Sequence, residues 1–153
     1  MQRSTLAKRA WLLFFFVAFL FYIYGLGHMP LIGPDEPRYA QVAREMLVRG
    51  DPVTPTLGGR PWFEKPALLY WMMMATFRAF GVSEWAARIG PALSGLLTGL
   101  LLYFTGRRIE RADEKLKRRG LGLWSGAALL SSVGMIVFSR GVSFDILITM
   151  TLA

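Results

Sequence analysis

A helical bundle set in a membrane is the fold class this sequence predicts, and three observations predict it. Of the 153 residues, 54% are hydrophobic and 14% aromatic, and they fall in long apolar blocks rather than in the period-2 or period-3.6 stripes of a soluble core. The Lys and Arg residues behind the net charge of +8 lie between those blocks, where membrane topology determinants sit. They are not interleaved with stacking aromatics, so nucleic acid is not an expected partner. There is no cysteine, which excludes a disulfide framework and a thiolate metal site. A metal would need carboxylates or the single histidine, His28.

The elements follow in order. Residues 1–10 carry Arg3, Lys8 and Arg9 ahead of the apolar run 11–27, WLLFFFVAFLFYIYGLG. That run is too long and aromatic for a signal-peptide core, and no small-x-small cleavage site follows it, so it reads as an uncleaved first transmembrane helix. Residues 84–105 form a second span, long enough to cross roughly 30 Å of hydrocarbon at about 1.5 Å per residue. The segment 106–120, GRRIERADEKLKRRG, has seven basic residues against three acidic ones, which places it in the cytoplasm with the basic N-terminus. An even number of crossings must separate them, so 66–80 (PALLYWMMMATFRAF) is not a crossing. At roughly 22 Å of helix it is also short for one, and it carries Arg78; it is expected to lie along the outer interface.

Residues 121–139 make the third span, 140–144 an outer turn, and 145–153 the start of a fourth. The chain stops inside that helix at Ala153 and is expected to be the front part of something larger. Residues 28–83 are then extracytoplasmic, in a multi-pass protein of the cell (inner or plasma) membrane with a cytoplasmic N-terminus. Gly95 and Gly99, and Gly122 and Gly126, have the spacing that lets membrane helices approach closely, and Pro91 is expected to kink the second span.

Within the first outer loop, Tyr39, Val42, Ala43, Met46 and Leu47 form one apolar stripe, with Arg38, Gln41, Glu45 and Arg49 mostly opposite. This predicts an amphipathic interfacial helix over about 37–49, capped by Asp35 or Glu36 and ended by Gly50 and Pro52. A second interfacial helix follows over 66–80, with Pro66 in its first turn, and Trp62, Tyr70 and Trp71 suit the headgroup level. Arg38, Arg60 and Lys65 oppose the usual charge bias. Cations at the outer edge suit a phosphate, or they pair with neighbouring acids or snorkel. Asp35 and Glu36 serve the helix dipole or chemistry. Asp145, with Ser143 as cap, has the same two readings and shares their compartment. A carboxylate pair beside outward-facing cations is the minimum kit for moving a sugar from a lipid phosphate; a transporter or a lipid-phosphate-binding membrane subunit is the alternative class.

The segments PDEPRYAQVAREMLVRGDP, GGRPWFEKPALLYW and FGVSEWAARIGPALSGLL resemble the N-terminal part of the GT-C glycosyltransferases of the protein-mannosyltransferase superfamily (families 39 and 83), and among them bacterial aminoarabinose transferases that modify lipid A. The resemblance covers roughly residues 11–150. It implies a many-spanning enzyme that uses a polyprenyl-phosphate sugar on the outer face, with a first outer loop of two interfacial helices bearing an essential acid. It assigns that acid to Asp35, the donor-phosphate cations to Arg38 and Lys65, a second outer acid to Asp145, and supporting positions to Tyr39 and Glu64. A divalent cation shared by Asp35 and Asp145 through oxygen ligands is a possible cofactor. Gln41 and Pro52 depart from the family pattern. Because the donor cavity of such enzymes draws on later helices, these residues alone are expected to be inactive.

Overall fold

The aromatic run beginning at Trp11 is helical as part of α1 (Gln2–Ile23). The protein is described by a computed structural model covering residues 2–113, 116 and 120–153, with the side chains of Arg9 and of residues from Trp11 onward. Arg3 and Lys8 side chains, and Lys115, Lys117, Arg118 and Arg119 of the expected basic loop, lie outside the described residues. Leu12, Leu13, Phe16, Val17 and Phe21 are each more than half exposed, the surface a helix presents when its solvent is hydrocarbon. The helix stops short of the expected residue 27, in a turn where Gly25 takes a φ of 74°.

The outer-loop helix α2 (Asp35–Arg49) buries Tyr39, Val42, Ala43 and Met46 of the predicted stripe and leaves its last member, Leu47, half-buried. Gly50, at φ 66°, closes it with a Schellman pair: the Gly50 N–H bonds the Leu47 carbonyl and the Asp51 N–H the Met46 carbonyl, both at 3.2 Å. A hairpin that the all-helical expectation lacks follows, β1 (Thr56–Leu57) and β2 (Arg60–Pro61), antiparallel with Thr56 opposite Pro61. The helix α3 (Leu68–Phe80) starts two residues past Pro66 and buries Leu69, Tyr70, Met73 and Phe77. Its Thr76 hydroxyl donates to the Ala86 carbonyl at 2.6 Å, which ties it to α4 (Glu84–Ala112).

α4 runs for 29 residues through Pro91 and is, among the described residues, the one helix long and apolar enough to cross a membrane by itself. Over the expected third span, 121–139, the chain forms two helices, α5 (Leu121–Leu130) and α6 (Val133–Arg140), bent by 59°. Consecutive serines make the break tolerable in an apolar setting, where every freed backbone group needs a partner. Ser132 Oγ accepts the Met135 N–H at 3.3 Å and donates to the Leu129 carbonyl at 2.8 Å. The Ser131 hydroxyl donates to the Ala127 carbonyl at 2.8 Å, and the Tyr22 hydroxyl on α1 donates to the Leu130 carbonyl at 3.0 Å. The last helix, α7 (Asp145–Leu152), begins at Asp145.

The glycine spacing does what it predicted and reaches further. A Cβ on Gly99 would stand 2.6 Å from Leu130, one on Gly122 2.5 Å from the Tyr103 carbonyl oxygen, and one on Gly106 2.6 Å from the Gly122 Cα. At Gly106 and Gly122 backbone meets backbone between α4 and α5, so there the close contact is not with a side chain that could swing aside. Gly106→Val is expected to destabilise the folded protein by about 1–3 kcal/mol, read as a lower midpoint of thermal unfolding in detergent, while Gly134→Ala, with open space around it, leaves the midpoint nearly unchanged.

Candidate functional site

The site is built at the start of α2. Pro34 holds the N-cap position and no side chain caps the helix, which corrects the capping expected of Asp35 or Glu36. Glu36 instead reaches backward to accept the Ile32 N–H at 2.7 Å. Asp35 is left with its side chain 60% exposed, 3.4 Å from Arg38 Nη1 one turn along. The same Nη1 lies 3.8 Å from Glu64 Oε2, and the guanidinium sits over the Trp62 ring, 5.6 Å from its centroid. Arg38 is thus shared by two loose, partly exposed pairs, each worth at most about 1 kcal/mol. A phosphate offering bidentate charge-assisted bonds would displace them at little cost. Lys65, next to Glu64 and half-buried, has no ion pair among the described residues. Its ammonium is uncommitted beside Arg38's acid.

Tyr39 is buried and meets Phe144 edge to face at 4.9 Å, which brings the start of α7 against α2. Burial, and then the charges of Asp35, Glu64 and Asp145, push the Tyr39 phenol above its ordinary pKa. Asp145 is exposed and accepts the Ser143 hydroxyl at 2.9 Å. Ser143 Oγ takes the Asp145 N–H at 3.1 Å, although the N-cap position belongs to Phe144. Among the described residues no hydrogen bond or ion pair joins Asp145 to Asp35; the contact between their helices is Tyr39 on Phe144. Among the described residues no three His, Cys, Asp or Glu side chains converge to hold a metal.

Tyr70 corrects its expected place at the headgroups. It is fully buried, against Phe144 at 5.6 Å and Tyr39 at 6.4 Å, and burial pushes its phenol up to about 12. Trp71 fits the expectation better: half-exposed, it donates its indole N–H to the Pro52 carbonyl at 2.7 Å.

Two groups outside the predicted set organise the site. Glu45 accepts from Gln41 Nε2 at 2.9 Å, Thr56 Oγ1 at 2.8 Å, and the Gly58 and Gly59 N–H groups at 2.9 and 3.2 Å, so it holds the hairpin turn against α2. The Gln41 hydrogen bond, with help from Thr56 and the two glycine amides, brings the Glu45 carboxyl down to about 2. Being depressed, that pKa makes the clamp's contribution complete above the ordinary glutamate range and removes it as pH falls towards about 2. Glu45→Ala is expected to speed hydrogen exchange at Gly58 and Gly59 roughly tenfold at neutral pH, the loss of about one charge-assisted bond.

The second group is Arg88, 4% exposed one turn into α4. Its Nη1 donates to the Leu26 and Met29 carbonyls at 2.7 Å, and Nη2 to the Pro30 carbonyl at 2.8 Å and Glu36 Oε2 at 2.7 Å. Glu36 Oε1 accepts the Val142 N–H at 2.6 Å. Burial pushes the Glu36 carboxyl up, but the bonds from Arg88, Ile32 and Val142 outweigh it and hold the pKa below the ordinary value. The signal in the sequence is an arginine at the head of an apolar span, which demands a partner; nothing local says which acid, 52 positions away, supplies it.

Residues 7–153 match the profile of the dolichyl-phosphate-mannose-protein mannosyltransferase family. The chain belongs to that family. Among its relatives is the undecaprenyl phosphate-alpha-4-amino-4-deoxy-L-arabinose arabinosyl transferase 1 of Proteus mirabilis, 46% identical over 67% of this chain and 19% of its own length. The corresponding transferase 2 of Sodalis glossinidius is 36% identical over 75% of the chain and 21% of its own length. Crystal structures of ArnT from Cupriavidus metallidurans superpose on 92% of the chain: the apo form with a TM-score of 0.79 and 34% identity, the form bound to undecaprenyl phosphate with 0.81 and 32%. The chain spans about a fifth of the curated relatives' length and a quarter of ArnT's. Membership and this likeness give α1–α7 the GT-C type of helical membrane fold, and they place the protein among membrane proteins.

Proposed function

We propose that the protein is a glycosyltransferase that moves a sugar from a polyprenyl-phosphate donor to an acceptor on the outer face of the inner membrane, with a cytoplasmic N-terminus. The observation that carries this reading is the likeness, over 92% of the chain, to an enzyme solved with undecaprenyl phosphate bound. The relatives' names make 4-amino-4-deoxy-L-arabinose the donor sugar to test first, and the resemblance makes lipid A the first acceptor. The group of Asp35 and Glu64 on Arg38, with Lys65 next to Glu64 in sequence and Asp145 following the Phe144 that packs on Tyr39, suits the chemistry.

In the proposed reaction an acceptor oxygen attacks the anomeric carbon from the face opposite the phosphate. The bond from that carbon to the phosphate oxygen breaks, and the lipid phosphate leaves with the electron pair. Asp35 orients the acceptor oxygen and takes its proton where it carries one. Arg38 and Lys65 neutralise the charge that develops on the leaving phosphate, and a phosphate that good at leaving needs no general acid. Asp145 steadies the acceptor from the α7 side, Glu64 keeps Arg38 in place until the phosphate arrives, and Tyr39 spaces the acids. A single displacement inverts the anomeric centre.

The test is mass-spectrometric detection of glycosylated lipid A made by the full-length protein in liposomes supplied with undecaprenyl-phosphate-linked aminoarabinose. Product with inverted configuration is expected; intact donor after prolonged incubation, also with hexose-linked donors and protein or glycan acceptors, would overturn the reading. For the topology, cysteines placed singly at Val53 and Asp113 should be labelled by an impermeant reagent from outside only at position 53.

A further inference from the structure

Glu36 and Arg88 form a closed network. Every N–H of the guanidinium has an acceptor: the three carbonyls of Leu26, Met29 and Pro30, Glu36 Oε2, and, from Nε at 3.4 Å, Glu36 Oε1. Each carboxylate oxygen in turn takes one backbone N–H as well as an arginine donor, Oε2 that of Ile32 and Oε1 that of Val142. With side chains only 5% and 13% exposed and no donor or lone pair to spare, the pair is built for geometry and not for touching a substrate.

That geometry concerns the two acids of the proposed site. Glu36 follows Asp35 directly, and Val142 lies three residues before Asp145. The network therefore joins the start of α2, the head of α4 and the turn leading into α7. A buried ion pair is poor evidence for stability, since apolar residues of like volume often serve as well; what it supplies is a fixed, bidentate register. The packing of Tyr39 on Phe144 draws α2 and α7 together without fixing how they are rotated. The Val142 N–H bond adds the polar constraint.

We infer that Glu36 and Arg88 are a positioning pair, which through the Val142 amide sets the Asp145-bearing turn against the Asp35-bearing helix so that both acids address one substrate complex. This rests on the proposed transferase reading. The link can be cut without breaking the ion pair. Val142→Pro removes one N–H, and Gly141, extended at φ −106° and ψ 165°, tolerates a following proline. Val142→Ala trims the same buried side chain but keeps the N–H.

Two readouts are taken on the full-length protein: kcat and KM per folded molecule, and the distance between spin labels at the exposed Arg44 of α2 and Thr149 of α7. Val142→Pro is expected to lower kcat about 10- to 100-fold, the cost of a misplacement on the order of 1 Å, with donor KM within about twofold. The spin-label distances should broaden. Val142→Ala stays near wild type in both, and Glu36→Gln broadens the distances as Val142→Pro does. Wild-type kcat and an unchanged distance distribution in Val142→Pro, whatever its melting temperature, would overturn the inference. Asp35→Asn run in parallel separates the two ideas: no transfer by the wild type sinks the proposed reaction while the distances still decide the positioning, whereas a dead Asp35→Asn beside a fully active Val142→Pro sinks the positioning alone.

Discussion

Asp35→Asn should lower sugar transfer by about two to four orders of magnitude, the range a positioned base contributes, without unfolding the protein. Its side chain is 60% exposed and holds only a 3.4 Å contact with Arg38, so the fold loses little more than the few tenths of a kcal/mol that an acid gives to a helix N-terminus. Asn keeps the shape and removes the charge and the basicity. Because Arg38 then has one carboxylate fewer to leave, donor binding should hold or strengthen while turnover falls. Single-turnover transfer and a thermal melt on the same preparation check both halves. A matching loss of folded protein would assign Asp35 a structural role.

Arg88→Ala should have the largest effect on stability, about 3–5 kcal/mol, the cost of breaking one side of a buried pair. It leaves Glu36 charged at a site 13% exposed and strips a donor from each of the Leu26, Met29 and Pro30 carbonyls. In practice the folded yield in membranes should collapse. Arg78→Ala, at an exposed position on α3, should stay within about 0.5 kcal/mol of wild type. Comparable yields for the two variants would mean that Arg88 is not the anchor its hydrogen bonds describe.

What could be read from residues alone was what depends on local period and punctuation. The α2 stripe from Tyr39 to Met46 and its glycine stop at Gly50 are properties of neighbours in sequence, and the glycines of α4 and α5 announce close approach wherever they land. The grouping of Asp35 and Arg38 is readable because one helical turn separates them; Lys65 and Asp145 stand out by charge and compartment, Glu64 enters through the family resemblance, and Tyr39 on Phe144 is what brings α7 to α2. The rest depended on contacts far apart in the chain. Glu36 reads locally only as a first-turn acid like Asp35, because its partners, Arg88 and Val142, come from other elements. Glu45 reads as the polar back of a helix, whereas a turn eleven or more residues later lends it three of its four donors. The break in the third apolar segment has a visible cause, Ser131 and Ser132, but serine is ordinary inside membrane helices; Tyr22 on the Leu130 carbonyl and the serine hydroxyls on the Ala127 and Leu129 carbonyls add the partners at the break.

The division of labour between acid and cations is tested most directly by measuring undecaprenyl phosphate binding to the full-length protein alongside turnover, in wild type, Asp35→Asn and Lys65→Ala. The predicted pattern is a split: Asp35→Asn binds the lipid phosphate at least as well as wild type yet does not turn over, and Lys65→Ala loses about tenfold or more in affinity, the worth of one charge-assisted contact. Unchanged affinity in Lys65→Ala, or near-normal turnover in Asp35→Asn, would contradict the account.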